Sequence, residues 1–193
     1  MILALTLFLT VPNLDGVLSL IGLRSLAHAC PIGPSKALTN AHVIGDYDRY
    51  VWESLGHVGL LGAPRTTEKD LFRDLGYVAP WRGAFPTWYR VSKDAPKPGD
   101  RLWFLGWDFR KRKDAFAPRV FQSEVLRVRN GHVIMTPAGV PGTSGSCVLN
   151  QHGEVVAINS AGMELEDKSQ VGIAVGVWGD LLDIGRGREE DVH

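Results

Sequence analysis

Apolar residues along this chain gather in short runs of about four to eight, rich in β-branched and aromatic side chains and closed by Gly, Pro, Asn or Asp. GVLSLIGL (16–23), KALTN (36–40), DLGYV (74–78), DRLWFLGW (100–107), HVIMT (132–136), EVVAIN (154–159) and VGIAVGV (171–177) are examples. Runs of this length read as strands. Only VWGDLLDI (177–184) suggests a helical period, so one short C-terminal helix is expected. The opening MILALTLFLTVPNLDG is too short to span a bilayer and lacks the basic start and small-residue cleavage site of a leader. It is expected to be a first strand, with a degenerate leader as the alternative, which favours a cytoplasmic or virus- or phage-associated protein over a secreted one.

The pattern breaks at VSKDAPKPGD (91–100), where prolines, glycine and charges interrupt the runs. This divides the chain into residues 1–92 and 93–184, with a frayed tail at 185–193 that has no apolar pattern. The expected fold is all-β: two six-stranded antiparallel barrels side by side, with a cleft between them.

Composition sharpens this picture. Among 193 residues, 22 Gly and 11 Pro supply the turns that many short strands need. Lys and Arg together number 21, as do Asp and Glu, so no net field steers the chain to nucleic acid or an anionic membrane. The basic run Arg110 to Lys113 is then a solvated loop. Two cysteines, Cys30 and Cys147, are too few for a disulfide framework and lack zinc-ligand spacing. No metal or organic cofactor is implied, no membrane span is expected, and the oligomeric state is left open.

Chemistry concentrates in TPAGVPGTSGSC (136–147). Taken alone, the stretch reads as a glycine-rich turn. Gly142 and Gly145, however, bracket Thr143 and Ser144, and glycine can adopt conformations that aim successive N–H groups at one point. A carbonyl placed there would meet the Ser144 hydroxyl and two donors, the backbone N–H groups of Gly142 and Ser144, as an oxyanion hole requires. Position 146 is serine, which rules out the G-x-S-x-G elbow of α/β-hydrolases. A serine hydroxyl needs a base, and His42 follows a short strand within LTNAHV. The base in turn needs a carboxylate on its other ring nitrogen. EKDLFRDLGYVAP offers Asp70 and Asp74, and Asp74, at the mouth of the Leu75–Val78 run, is the preferred choice.

LTNAHV, DLGYV and GTSGSCVLNQHGEVVAINSAG, in the order His, Asp, Ser, resemble the motifs of the trypsin-like, chymotrypsin-fold serine peptidases. The spacing is similar to that of the compact bacterial, phage and viral members, such as glutamyl endopeptidases and high-temperature-requirement proteases. The resemblance runs over residues 15–180, with KPGDRLWFLGW as the opening of the second barrel and VGIAVGV as the last strand lining the pocket. It implies a catalytic set of His42, Asp74 and Ser144. It also implies a specificity pocket built from Ala138 and Gly139 at the floor, Ser160, Ala161 and Gly162 on one wall, and Gly172 and Ala174 on another.

Three departures from the family pattern qualify this. Cys147 stands where proline is usual, and AHACPIG replaces a strand in which Gly-x-Gly is commoner. The resemblance places Cys30 and Cys147 on neighbouring strands, and two buried free thiols are expected, with a disulfide as the alternative. None of the pocket positions is acidic, which argues against selection of Arg or Lys, and Asn159 stands where glutamate-specific relatives carry histidine. A small or apolar residue before the scissile bond is the implied preference. The expected function is that of a serine endopeptidase acting on a protein or peptide. The alternatives are a protease-like peptide-binding domain without turnover, and a viral or phage maturation protease with one dedicated substrate.

Overall fold

The computed structural model describes residues 17–21, 26–44, 51–54, 57–60, 69–70, 73–107 and 118–182. The expected first strand at 1–16, the basic run at 110–113 and the tail at 185–193 lie outside the described residues.

The first half is built from β1 (Leu18–Ile21), β2 (Leu26–Gly33), β3 (Lys36–Thr39), the single turn of helix α1 (Ala41–Ile44), β4 (Val51–Ser54), β5 (His57–Leu60), β6 (Lys69–Asp70) and β7 (Leu75–Val78). These strands form one seven-stranded sheet in the order β5-β4-β1-β2-β3-β7-β6. A closed six-stranded barrel was expected here; among the described residues the sheet is open, with β5 and β6 as its edges. Every described pairing in it is antiparallel, and β3 pairs with β7 so that Leu38 faces Tyr77 and Thr39 faces Gly76. That register places the C-terminal end of β3, and hence α1, beside the turn that opens β7.

The second half matches its expected architecture. β8 (Arg101–Trp107), β9 (Pro118–Arg129), β10 (His132–Thr136), β11 (Cys147–Leu149), β12 (Val155–Glu164) and β13 (Gln170–Gly176) close into a six-stranded barrel in the order β10-β13-β12-β11-β8-β9. The expected C-terminal helix is represented among the described residues by a 3₁₀ turn, Gly179–Leu182. A sequence with Gly179 at φ +51° just inside the run disfavours a full α-helix start there.

Among the described residues three apolar clusters form the core. One fills the C-terminal barrel around Phe104, Val133, Met135 and Val156, and one lies in the first half around Ala29, Ile44 and Phe85. The third joins the halves: Cys30, Leu38, Leu75 and Tyr77 pack against Trp103, Cys147, Leu149 and Ile158. Within this shared core Cys30 and Cys147 form a disulfide, with Cα atoms 4.9 Å apart. The expected free thiols are therefore replaced by a bond between β2 and β11, whose strands approach within the range a disulfide spans. No helix among the described residues is long and apolar enough to cross a membrane.

Candidate active site

β3 delivers the chain into α1, and α1 carries His42. The Asn40 carbonyl receives the N–H groups of Val43 and Ile44, closing the turn. Ala41, Val43 and Ile44 are buried while His42 is exposed, so the short helix anchors on three apolar residues and presents its histidine. Asp74 sits in the turn before β7 with φ +54°, a left-handed conformation that aspartate tolerates better than most residues. The conformation brings its carboxylate onto α1. Oδ2 lies 2.8 Å and Oδ1 3.0 Å from His42 Nδ1, and Oδ1 also accepts the His42 backbone N–H at 3.0 Å. An ionised carboxylate only accepts, so Nδ1 carries the proton and Nε2 is left as the acceptor on the far side of the ring.

The Ser160 hydroxyl donates to Asp74 Oδ2 at 2.6 Å. Burial raises the Asp74 carboxyl's pKa, but the hydrogen bonds from the His42 ring, the Ser160 hydroxyl and the His42 N–H outweigh it and hold the group below its ordinary value. The His42 side chain is 52% exposed and that of Asp74 29%, so the ring stands between the carboxylate and solvent.

Ser144 lies in the loop between β10 and β11, bracketed by Gly142 at φ +96° and Gly145 at φ +82°. A Cβ on Gly145 would collide with the His28 carbonyl and the Thr39 hydroxyl, so only glycine fits. The loop is pinned on both sides. His28 N–H donates to the Ser144 carbonyl at 2.8 Å, and Asn159 Nδ2 donates to the Thr143 carbonyl at 3.1 Å and hydroxyl at 2.9 Å. The N–H groups of Thr143, Gly145 and Ser146 bond to protein acceptors, whereas among the described residues those of Gly142 and Ser144 do not. The Ser144 hydroxyl donates to the Ser160 carbonyl at 3.0 Å and, among the described residues, not to the His42 ring.

A cleft of about 620 Å³ opens beside Ser144. Of the sequence-predicted pocket residues, Ala138, Gly139, Ser160, Ala161 and Gly162 line it. Gly172 sits behind the floor, where an added Cβ would lie 3.3 Å from the Ala138 Cα, and Ala174 is fully buried in the barrel core. Val140, Pro141, Thr143, Met163, Glu164 and Gln170 complete the lining. Glu164 is its one ionisable group, and its carboxylate accepts from Lys168 at 2.9 Å. Among the described residues no group of three His, Cys, Asp or Glu is placed to hold a metal.

Sequence reasoning missed three roles. Ser160 appears in it as a pocket wall but not as a partner of Asp74. Asn40 and Asn159 tie the serine loop to its surroundings, yet a buried asparagine carries no local mark of its distant partners.

Residues 129–175 match the family model of peptidase S7, the flavivirus NS3 serine protease. Among curated protein sequences none matches the chain. Solved structures share the fold. A Glu endopeptidase superposes with a TM-score of 0.73 at 13% identity, covering 89% of each chain. The inactive form of Rv3671c from M. tuberculosis H37Rv gives 0.70 at 15% identity over 91% of this chain and 89% of that one. A serine endoprotease from Yersinia pestis gives 0.70 at 19% identity over 87% of this chain and 64% of that one. By its architecture the chain has the fold of the trypsin-like serine peptidases, and the segment that matches the family model includes Ser144.

Proposed function

We propose that the protein is a serine endopeptidase that cleaves through an acyl-enzyme. The observation that carries this reading is the His42–Asp74 pair, held by a doubly bonded carboxylate and linked through Ser160 to the Ser144 hydroxyl at the edge of a cleft. A peptide-binding surface alone would have no use for a tautomer-fixed histidine whose carboxylate partner is linked through Ser160 to a serine hydroxyl.

In the proposed cycle a peptide carbonyl enters the cleft, and the Ser144 hydroxyl leaves the Ser160 carbonyl and turns toward His42 Nε2. The ring takes its proton as Oγ attacks the carbonyl carbon, and Asp74 stabilises the imidazolium that forms. The oxyanion is met by the Gly142 and Ser144 N–H groups, which give up no hydrogen bond to do so. The proton on Nε2 passes to the leaving amine, and water then repeats the attack on the acyl-enzyme. A floor of Ala138 and Gly139 supports a small or apolar residue before the scissile bond, because the one carboxylate of the described lining is engaged by Lys168.

A fluorophosphonate probe tests the nucleophile. Wild type is expected to label and Ser144→Ala to stay unlabelled, with a loss of about 10⁶ in turnover, while Asp74→Asn is expected to lose about 10⁴. Equal labelling of Ser144→Ala would overturn the assignment. A larger loss for Asp70→Asn than for Asp74→Asn would move the carboxylate role to Asp70. Cleavage of a diverse peptide library distinguishes a broad peptidase from one with a single dedicated site.

A further inference from the structure

Asn40 is completely buried, and its side chain reaches in two directions. Its Nδ2 donates to the Asp74 carbonyl at 3.1 Å, and its Oδ1 accepts the Gly145 N–H at 2.7 Å. The first partner belongs to the turn that carries the carboxylate. The second follows Ser144 directly in sequence. Asn40 itself is two residues from His42, so one residue near the histidine bonds through its amide to the chain at Asp74 and beside Ser144.

This use of the side chain is unusual for its position. An asparagine entering a helix ordinarily caps it, by accepting an N–H of the first turn. Here Asp74 Oδ1 takes the His42 N–H instead. The cap comes from a residue 32 positions away, and the asparagine that would have supplied it is released to span the gap. Its own contact with the Asp74 carbonyl fixes the left-handed residue whose carboxylate does the capping.

We infer that Asn40 is a positioning residue of the peptidase reaction, holding the Asp74 turn and the Ser144 loop at a fixed separation across the two halves of the molecule. The inference rests on the serine endopeptidase reading above. Its planar amide, carrying a donor on one end and an acceptor on the other, fits a carbonyl and an N–H at once; a carboxylate or a hydroxyl cannot do both in this geometry. A displacement of about 1 Å between reacting groups can cost about 10²-fold in rate, so the effect of losing the bridge lies in turnover rather than in substrate affinity.

The experiment compares wild type with Asn40→Ala and Asn40→Asp on one peptide substrate, with functional sites counted by fluorophosphonate titration. Asn40→Asp keeps an acceptor for the Gly145 N–H but sets a carboxylate against the Asp74 carbonyl. Turnover per titrated site is expected to fall about 10- to 100-fold in both variants, with KM within about twofold of wild type. Normalising to titrated sites removes any loss through misfolding, and either variant alone suffices if the other yields no sites. Unchanged turnover per site in the variants that yield sites would make Asn40 a structural residue only and overturn the inference. Absence of labelling in wild type itself would instead overturn the endopeptidase reading on which it rests.

Discussion

Asp74 spends its two carboxylate oxygens on the His42 ring, the His42 backbone and the Ser160 hydroxyl, and its carbonyl on Asn40. All three carboxylate partners are donors that favour the charged form, which is why its pKa lies below the ordinary 3.8 in spite of burial. A carboxylate whose folded pKa is lowered contributes stability above its unfolded value and loses that contribution as the pH falls through the folded one. Thermal unfolding of wild type and Asp74→Asn, followed between about pH 7 and pH 2, is expected to show a gap that is full at neutral pH and closes in acid. A gap independent of pH would mean that the carboxylate charge is not what the native state favours. The proposed set of His42, Asp74 and Ser144 stands out in the chain because each sits in a motif of adjacent residues. Asn40 and Ser160 are not, since their partners lie 105 and 86 positions away and the chemistry exists only after folding.

At the level of elements, the serine loop is a backbone device more than a side-chain one. Gly145 has both a left-handed φ and no room for a methyl group against the His28 carbonyl. Gly145→Ala is expected to cost roughly 2 kcal/mol or more in urea unfolding and to abolish labelling of Ser144, because strain and collision add. A variant of wild-type stability would show that the loop can retreat from β2. The loop's glycines are readable from the sequence as turn residues, but their neighbour is not. The same limit applies to the strands. HVIMT and VGIAVGV show themselves as apolar runs, whereas β9, the twelve-residue strand Pro118–Arg129, alternates Val120, Gln122, Glu124 and Leu126 on its exposed side and is not among the runs that the pattern picks out. A half-solvated strand with charges gives a weaker apolar signal than a buried one.

Across the whole molecule, the halves are bound by more than packing. The shared apolar cluster contains the Cys30–Cys147 disulfide, and the connecting segment is laced to β12 through the Val91–Val155 bridge and the hydrogen bonds between Ser92 N–H and the Val155 carbonyl and between Val155 N–H and the Arg90 carbonyl. A bond that closes a loop of 117 residues restricts the unfolded chain strongly. The double variant Cys30→Ala, Cys147→Ala is expected to lose about 2–5 kcal/mol, and Tm should drop by about 2–4 °C for each kcal/mol. No change in Tm would place the constraint elsewhere, in the shared core. The closed six-stranded barrel of the second half follows from turn spacing. The open arrangement of the first sheet's described strands and the disulfide do not, because closure and thiol proximity depend on how strands far apart in sequence come together.

The position of that bond has a further consequence for the life of the protein. It spans the whole connecting segment between the halves, so a chain cut anywhere from residue 31 to residue 146 remains one covalent molecule. A single nick within that stretch would leave no fragment free to diffuse away, and under denaturing conditions the nicked species would travel as one molecule until a reductant separated its two pieces.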